Sequence, residues 1–270
     1  MAVKAVVAGA AGRMGKTIIN LIFQHPDIDL VGAFEHPDHP SVGKDVGEVV
    51  GLPKTGIIIQ DSLEKAVEGA DVIIDFTFHK ASLENARKNK DIKKAMVMGT
   101  TGFSKEELEE VHAIAKENFP LVQDYNMSTG INLLCKLVEI TARVLSEGYD
   151  IEIIEAHHRM KKDAPSGTAL KLAGVIAKVL GRSDQDYRFC REGIIGERNP
   201  SEIGIQTIRG GDIVGEHTVM FAGIGERLEL THRASSRETF ARGALRAALW
   251  VVGKAPGVYN MQDVLGLKEL

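Results

Sequence analysis

Short apolar runs alternate with amphipathic segments through the first half of the chain. Runs rich in valine, isoleucine or methionine have the length and composition of buried strands, at residues 3–8, 28–34, 72–76 and 95–98. Between and after them, helical patterns occur near residues 13–24, 62–68, 80–89 and 104–117. Ser104 and Glu107 have capping-box spacing at the start of the last helix. This alternation predicts an α/β fold of the Rossmann type, with a doubly wound parallel sheet covered on both faces.

The regular alternation of predicted strands and helices ends after about residue 126. Helices are predicted at about 129–146, 166–180 and 240–253, and strands at 150–158, 203–209, 213–221 and 226–233. The last three strands are joined by "GGD" at 210–212 and "GIG" at 223–225, which are typical of hairpins. The second half is therefore predicted to be an α+β domain with a mixed or antiparallel sheet.

Composition and charge narrow the class of protein. The chain has 270 residues and a net charge of -4, which argues against non-specific binding of nucleic acid or of anionic membranes. It has no run of 18 apolar residues, so no membrane span is expected, and a cytoplasmic location is the default. Cys135 and Cys190 form no metal-spaced pair, and a disulfide between them is not expected.

A glycine-rich turn follows the first predicted strand. "GAAGRMG" places Gly9, Gly12 and Gly15 where the chain must turn tightly and let a phosphate approach the backbone. Ala10 stands where the commoner dinucleotide motif has a glycine. The helix that follows directs its amide groups at the turn, as a pyrophosphate site requires. Glu35 lies just after the second strand, where a carboxylate would accept hydrogen bonds from the adenosine ribose. Together these features predict dinucleotide binding.

The sequence gives mixed signals on the ribose phosphate of the cofactor. Glu35 favours a free ribose hydroxyl, as in NADH, whereas His36 and Arg13 offer cationic partners to the extra phosphate of NADPH. We therefore expect the protein to use both NADH and NADPH.

Loops at the ends of later strands are candidates for the nicotinamide side of the site. In a doubly wound sheet, ligands bind at the carboxyl ends of strands. Backbone and hydroxyl groups there could face the nicotinamide, from Gly99, Thr100 and Thr101 after one strand and from residues 124–128 ("DYNMS") after the next. Phe76 and Thr77 end the strand before. Plain strand-to-helix loops remain an alternative interpretation.

Residues 155–170 (EAHHRMKKDAPSGTAL) gather titratable and cationic side chains. His157 and His158 end a predicted strand, so their rings point to opposite faces. Arg159, Lys161 and Lys162 follow directly, although the net charge gives no general reason for cations there. A zinc site is not expected, because adjacent strand residues diverge and no cysteine or acid has suitable spacing. The stretch predicts a site for an anion.

A helix start completes this anion site. Gly167 and Thr168 bring first-turn backbone amides and the positive end of the helix dipole. Such an end binds carboxylates as readily as phosphates. The stretch can therefore hold a small, multiply anionic ligand and place a proton donor, either His157 or Lys161, against it.

Over essentially its whole length, the sequence resembles the 4-hydroxy-tetrahydrodipicolinate reductase (dihydrodipicolinate reductase) family. The resemblance lies in "GAAGRMG", "IDFT", "GTTGF", "IEIIEAHHRMKKDAPSGTA", "GDIVGEHTVMFAGIGERLELTHRASSR" and "FARGALRAALW". It implies NAD(P)H-dependent reduction of 4-hydroxy-tetrahydrodipicolinate to tetrahydrodipicolinate with loss of water, in lysine and diaminopimelate biosynthesis. It also implies a cytoplasmic homotetramer without a metal cofactor, assembled through the sheet of the second domain.

The resemblance also assigns roles to parts of the chain. The change of pattern near residue 126 predicts a dinucleotide-binding domain at residues 1–126 and a second domain at 127–240, which the resemblance implies binds substrate and forms the oligomer. The resemblance also implies that residues 241–270 return to the first domain. His157 and Lys161 are the implied catalytic residues, and the implied substrate contacts are His158, Gly167 and Thr168. The implied cofactor-binding residues are Gly9, Ala10, Ala11, Gly12, Arg13, Met14, Glu35, His36, Gly99, Thr100, Thr101, Asp124, Tyr125, Asn126 and Met127.

The sequence departs from the family pattern at two places, and two other functions remain as alternatives. His36 stands where some members have an arginine, which puts a preference for NADPH in doubt, and "DYNM" replaces another version of that loop. An NAD(P)-dependent dehydrogenase of another amino acid would use the same nucleotide domain. A non-catalytic NADH-sensing regulator would need a basic DNA-recognition helix, and the sequence shows none.

Overall fold

A computed structural model describes residues 1–270, which divide into two compact units. The first unit comprises Met1–Thr129 and Glu238–Leu270, and the second comprises Gly130–Arg237. The first unit is therefore built from two separate stretches of chain.

The strands and helices are numbered in chain order. The strands are β1 (Val3–Ala8), β2 (Ile28–Phe34), β3 (Ile59–Gln60), β4 (Val72–Asp75), β5 (Ala95–Met98), β6 (Pro120–Gln123), β7 (Asp150–His157), β8 (Tyr187–Arg188), β9 (Ile203–Arg209), β10 (Gly215–Gly223), β11 (Glu226–Ala234) and β12 (Gly257–Tyr259). The helices are α1 (Arg13–Ile22), α2 (Val46–Val50), α3 (Leu63–Ala66), α4 (His79–Ile92), α5 (Lys105–Asn118), α6 (Thr129–Val144), α7 (Gly167–Leu180), α8 (Glu238–Val251) and α9 (Met261–Val264). None of these helices has the length and hydropathy that a membrane span requires.

The first unit contains a seven-stranded parallel sheet in the order β3-β2-β1-β4-β5-β6-β12. The direction in which successive strands are added reverses between β1 and β4, and this reversal defines the switch point of a doubly wound sheet. The predicted Rossmann-type fold is confirmed. Ligands are expected at the carboxyl ends of β1 and β4, on either side of the switch point.

Successive residues of β1 supply two separate cores. Val7 packs in the cluster that contains Ile18 of α1 and Ala248 of α8. Val6 packs in the other cluster, with Val111 of α5. Because side chains alternate across a strand and helices cover both faces, residues 5–8 of the strand are all apolar and buried, rather than every second one.

The second unit contains a five-stranded mixed sheet in the order β11-β10-β7-β9-β8. The central strand β7 runs parallel to β9 and antiparallel to β10. Helices α6 and α7 pack on this sheet, where Val138 and Leu172 join Ile153, Ile205 and Phe221 in one core. The predicted α+β domain with a mixed sheet is confirmed.

The predicted hairpin between residues 203–209 and 213–221 is wrong. Strand β7 lies between β9 and β10 and pairs with both, so the glycine-containing connection crosses the end of β7 instead of forming a tight turn. Gly210 donates its backbone N–H to the carbonyl of His157 at 2.9 Å, which fixes this crossing. The second predicted hairpin is present, because β10 and β11 pair in sequence down to Gly223 and Glu226.

Gly15 provides a test of the close packing between α1 and the turn after β1. A Cβ atom at Gly15 would lie 2.1 Å from the carbonyl oxygen of Gly9, whereas one at Gly174 of α7 would come no closer than 3.9 Å to Tyr187. We expect Gly15→Ala to lower the free energy of unfolding by about 1–3 kcal/mol, the usual cost of overpacking. The matched variant Gly174→Ala should raise it by about 0.5–1 kcal/mol, because alanine favours the helix. Urea unfolding without cofactor measures both, and a Gly15→Ala protein of wild-type stability would contradict the packing argument.

Candidate functional site

The glycine-rich turn lies at the carboxyl end of β1. Gly9 has φ of +65°, a left-handed conformation that favours glycine, and its carbonyl accepts the N–H of Gly12 at 3.0 Å. Helix α1 then begins at Arg13, and its N-cap residue Gly12 has no side chain with which to cap the first amides. The turn is tight and ends in a helix N-terminus without a side-chain cap, as a pyrophosphate site requires.

Glu35 meets this turn although it is 24 residues from Ala11. Its Oε1 accepts the backbone N–H of Ala11 at 2.8 Å, and its Oε2 accepts that of His36 at 3.2 Å. The carboxylate is thereby fixed at the carboxyl end of β2, beside the turn. The side chains of His36 and Arg13 are exposed at the same edge. These residues fit a dinucleotide, because the turn suits the pyrophosphate and the carboxylate suits the ribose.

Ala10 and Met14 are positioned by packing. Ala10 is fully buried and donates its N–H to the carbonyl of Phe34 at 3.2 Å, whereas Met14 packs on the core beside α1. Neither side chain carries a polar group, so any contact of these two residues with a phosphate would use the backbone.

Part of the loop after β5 is buried within the first unit. A Cβ atom at Gly99 would lie 2.1 Å from the ring of Phe76, so only glycine allows this packing. Thr100 is buried, and its hydroxyl lies 2.7 Å from the hydroxyl of Ser82. Because the Thr100 hydroxyl is hydrogen-bonded within the first unit, the groups of this loop that could contact a nicotinamide are its backbone and the exposed side chain of Thr101.

The loop after β6 divides into structural and exposed positions. Asp124 is buried, and its carboxylate accepts the N–H groups of Asn126 and Met261, each at 3.3 Å. Met127 is buried in the core with residues of α8. Tyr125 is exposed and Asn126 is half-buried, so these two side chains are the ones at the surface of the loop.

A buried acid–histidine pair lies at the end of β7 in the second unit. Glu155 is 0% exposed, and its Oε2 lies 2.5 Å from Nδ1 of His157, two residues along the strand. Arg209 of β9 donates to both carboxylate oxygens, at 2.8 and 2.9 Å. The backbone N–H of Ser166 donates at 3.0 Å and the hydroxyl of Thr207 at 3.2 Å. Three separate segments therefore converge on one carboxylate.

These contacts determine the charge of both groups. Burial alone would raise the pKa of Glu155, but hydrogen bonds from Arg209, His157 and Ser166 outweigh it and lower the pKa to about 2. Burial lowers the pKa of His157, and the charges of Lys161 and Arg209 lower it further, against the opposing attraction of Glu155. At neutral pH, Glu155 is ionised and accepts the Nδ1 proton of a neutral His157.

The other ring nitrogen of His157 faces a glycine. A Cβ atom at Gly215 would lie 3.2 Å from Nε2, so the absence of a side chain there leaves room beside this nitrogen. Because Glu155 engages Nδ1, the nitrogen left for exchange of a proton with a ligand is Nε2.

A second buried histidine, His217, lies beside His157. The ring of His217 lies 5.2 Å from that of His157, centroid to centroid, and its Nε2 lies 3.1 Å from the hydroxyl of Ser166. Burial, together with the nearby His157, lowers the pKa of His217 to about 3, so the ring is neutral at physiological pH. Its Nδ1 is buried without a hydrogen-bond partner.

The predicted anion site lies on the loop between β7 and α7. Nζ of Lys161 lies 2.9 Å from Oδ1 of Asp163. The backbone carbonyl of Asp163 accepts a hydrogen bond from Arg209 at 2.6 Å. Ser166 caps α7 by accepting the N–H of Ala169 at 3.2 Å, and Gly167, the first residue of the helix, has open space beside it. The loop thus carries Lys161 close to His157, whose pKa it lowers.

His158 follows directly after β7, and Thr168 is the second residue of α7. The carbonyl of His158 accepts the N–H of Lys161 at 3.1 Å, which closes the turn that carries the lysine. The predicted substrate residues therefore lie on one short segment of the second unit, with the acid–histidine pair at its beginning and the helix start at its end.

Sequence reasoning missed three residues of this site. Glu155 carried a usable signal, because residues two apart on a strand share a face and it stands two before His157. His217 pairs opposite Glu155 on β10, and Arg209 pairs opposite His157 on β9. Their roles depend on strand order and register, which the sequence alone did not provide.

The fold and the two sets of residues define a class of enzyme. One unit has a switch point, a glycine-rich turn and a carboxylate that fit a pyridine nucleotide, and the other has a buried acid–histidine pair beside a helix start. The chain is an oxidoreductase that depends on a pyridine nucleotide.

Comparison with known proteins identifies the family within that class. Residues 3–127 match the family model described as dihydrodipicolinate reductase, N-terminus, and residues 130–265 match the one described as dihydrodipicolinate reductase, C-terminus. The chain belongs to the dihydrodipicolinate reductase family.

Individual relatives agree with this assignment. The chain is 55% identical to the 4-hydroxy-tetrahydrodipicolinate reductase of Syntrophobacter fumaroxidans, over 98% of this chain and 100% of the relative. It is 52% identical to the enzyme of that name from Syntrophus aciditrophicus, over 98% and 99%. A solved structure of dipicolinate-bound dihydrodipicolinate reductase from Paenisporosarcina sp. TG-14 matches with a TM-score of 0.77 and 26% identity, over 97% of this chain and 99% of that one.

The buried His217 predicts a specific dependence of stability on pH. Its pKa is about 3 in the folded protein and ordinarily 6.5, so between these values the unfolded chain binds a proton that the folded protein does not. The free energy of unfolding should therefore rise with pH over this window, by up to about 1.4 kcal/mol per pH unit from this group. The contribution of His217 to stability is correspondingly lost as the pH falls toward 3.

The variant His217→Gln should have a shallower slope between pH 5 and 6.5 than the wild type, because it lacks the titrating ring. Urea unfolding at a series of pH values measures the two slopes. Equal slopes in this window would show that His217 does not resist protonation.

Proposed function

We propose that the chain reduces 4-hydroxy-tetrahydrodipicolinate to tetrahydrodipicolinate with NADH or NADPH, releasing one water, in lysine and diaminopimelate biosynthesis. Relatives that are 52% and 55% identical over 98% of the chain carry the name of this reductase. The observation that carries the proposal is the buried Glu155–His157 pair beside Lys161 and the start of α7. This arrangement supports binding of a dicarboxylate next to a proton donor.

The charges of the second unit suit a dicarboxylate. A ring with two carboxylates carries two negative charges, and dipicolinate, the ligand named with the solved relative, has the same two groups. Lys161 and the positive end of α7 offer attraction at two points of one short loop. We assign the carboxylate contacts to His158, Gly167 and Thr168.

The reaction needs one proton besides the hydride and the departing hydroxyl group. NAD(P)H, when bound, supplies the hydride, which adds to the ring carbon that loses its hydroxyl. Either Nε2 of His157 or Nζ of Lys161 provides the proton, so that the hydroxyl leaves as water and the charges balance.

Substrate binding itself prepares His157 for this role. In the protein without ligand, burial and two nearby cations lower the pKa of His157 and keep its ring neutral. A dianion bound beside the ring adds negative charge and therefore raises that pKa. Glu155 holds Nδ1 throughout, so the acquired proton resides on Nε2, where Gly215 leaves room.

The catalytic assignment predicts the effect of removing each candidate donor. His157→Ala should lower kcat by about 10²- to 10⁴-fold, the usual contribution of a general acid. Lys161→Ala should raise KM for the substrate, because it removes a cation beside the anion site, and the variant with the larger loss of kcat at saturating substrate identifies the proton donor. NADH absorbance measures both, with substrate freshly made from aspartate semialdehyde and pyruvate.

Lys178→Ala, an exposed lysine in the last turn of α7, is the matched control and should keep wild-type kinetics. Wild-type turnover by His157→Ala would remove His157 from the mechanism. A wild-type protein inactive on this substrate but active on an amino acid would favour the dehydrogenase alternative.

We propose that the enzyme uses both nucleotides. Glu35 beside the turn suits the free ribose of NADH, and the exposed His36 and Arg13 suit the additional phosphate of NADPH. The ratio of kcat/KM for the two cofactors should therefore stay below about a hundredfold, equivalent to about 2.7 kcal/mol. Steady-state kinetics with each cofactor measure the ratio, and a larger preference for either would rule out dual use.

We also propose that the protein is a cytoplasmic homotetramer that associates through the second sheet. The residues of β7, β9 and β10 that point away from the helix-packed core include Ile154, Ile208 and Met220, and Ile208 is 50% exposed. A second copy packed on this face would cover these apolar side chains.

A further inference from the structure

A second fully buried carboxylate lies in the first unit, at the end of β4. Asp75 is 0% exposed, and its partners are uncharged. Its Oδ1 accepts the N–H of Thr77 at 2.9 Å, the hydroxyl of Thr77 at 2.6 Å and the hydroxyl of Ser82 at 2.8 Å. The side-chain amide of Asn85 donates to Oδ2 at 2.8 Å, and the hydroxyl of Thr100 lies 3.4 Å from Oδ1.

The span of these partners separates Asp75 from an ordinary structural acid. Asp45 of the same unit is also buried, but its donors lie at most 11 residues away in the chain, whereas the Thr100 hydroxyl beside Asp75 is 25 residues away. Asp75 instead joins the turn after β4, the first two turns of α4 and the loop after β5. Burial of a carboxylate is costly unless several donors replace its water, so this carboxylate holds the three segments together.

The segments joined by Asp75 border both halves of the proposed cofactor site. Asp75 is paired with Ala8, the last residue of β1, across the switch point, and with Met98, the last residue of β5, on its other side. A Cβ atom at Gly9 would lie 2.8 Å from the methyl group of Thr77, so Thr77 packs directly on the glycine-rich turn. The hydroxyl of Thr100 reaches the same network through Ser82.

We propose that Asp75 is a positioning residue for the nucleotide cofactor, an inference that rests on the proposed use of NAD(P)H. It holds Thr77 against the turn for the pyrophosphate and Thr100 in the loop for the nicotinamide, so that the two segments keep a fixed separation. Asp75 is fully buried and acts through these two threonines rather than by touching the cofactor.

The test compares NADH binding by the full-length protein and its Asp75→Asn variant, followed by the fluorescence of the bound nucleotide. Asparagine has the same shape, but its amide turns one acceptor into a donor that conflicts with the donors around it. We expect the Kd for NADH to rise about tenfold, as for loss of hydrogen bonds to a charged group, while kcat at saturating NADH stays within about threefold of wild type.

Two further variants separate positioning from stability. Asp45→Asn also removes a buried charge from the first unit and should lower the unfolding midpoint while leaving the Kd for NADH unchanged. Ser82→Ala keeps a good helix former in α4 but removes the hydroxyl that links Asp75 to Thr100, so it should raise the Kd severalfold. It decides the question if Asp75→Asn does not fold.

The outcomes distinguish this inference from the proposed function. A wild-type protein that binds neither NADH nor NADPH would overturn the proposed function itself. If the wild type binds NADH and the folded Asp75→Asn and Ser82→Ala variants bind it equally tightly, the positioning role is overturned and the function stands. An equal rise of Kd in Asp45→Asn and Asp75→Asn would likewise overturn it, because the effect would then follow general stability.

Discussion

The negative charge of Glu155 is the constraint around which the second unit is arranged. A carboxylate without access to water must find donors in the protein, and those of Glu155 come from the start of α7, from β9 and from the histidine on its own strand. The parallel pairing of β7 with β9 brings Arg209 to it, and the loop before α7 brings Ser166. The orientation of His157 is thus a product of the whole sheet rather than of its local sequence.

The two units bury an acid in different chemical surroundings. Glu155 has a guanidinium partner, Arg209, so the second unit offsets the charge of this buried anion with a cation. Asp75 has hydroxyl and amide partners, which are uncharged and orient neighbouring segments without adding positive charge. This difference matches the tasks proposed for the two units, because a dicarboxylate needs countercharge, whereas a dinucleotide binds largely through backbone groups at its pyrophosphate.

Local patterns predicted the fold well and the site only in part. Buried strands and amphipathic helices have periods that a single sequence displays, and Ser104 and Glu107 form the expected capping box. Strands of two or three residues, such as β3, β8 and β12, are too short to show a period. The mistaken hairpin and the missed Arg209 have the same origin, since both depend on β7 lying between β9 and β10. Contacts set by strand order are invisible to spacing along the chain.

The division of the first unit into two stretches has a consequence for how the protein is made. Helix α8 supplies Ala244, Ala248 and Val251 to the core beside α1, and β12 adds the last strand of the sheet next to β6. Both elements are translated after the entire second unit, which is continuous in sequence. When residues 1–129 leave the ribosome, their sheet therefore still lacks α8 on one face and β12 at its edge. The second unit can finish folding first, although it begins later, and the nucleotide-binding unit becomes complete only after residues 238–270 have been made.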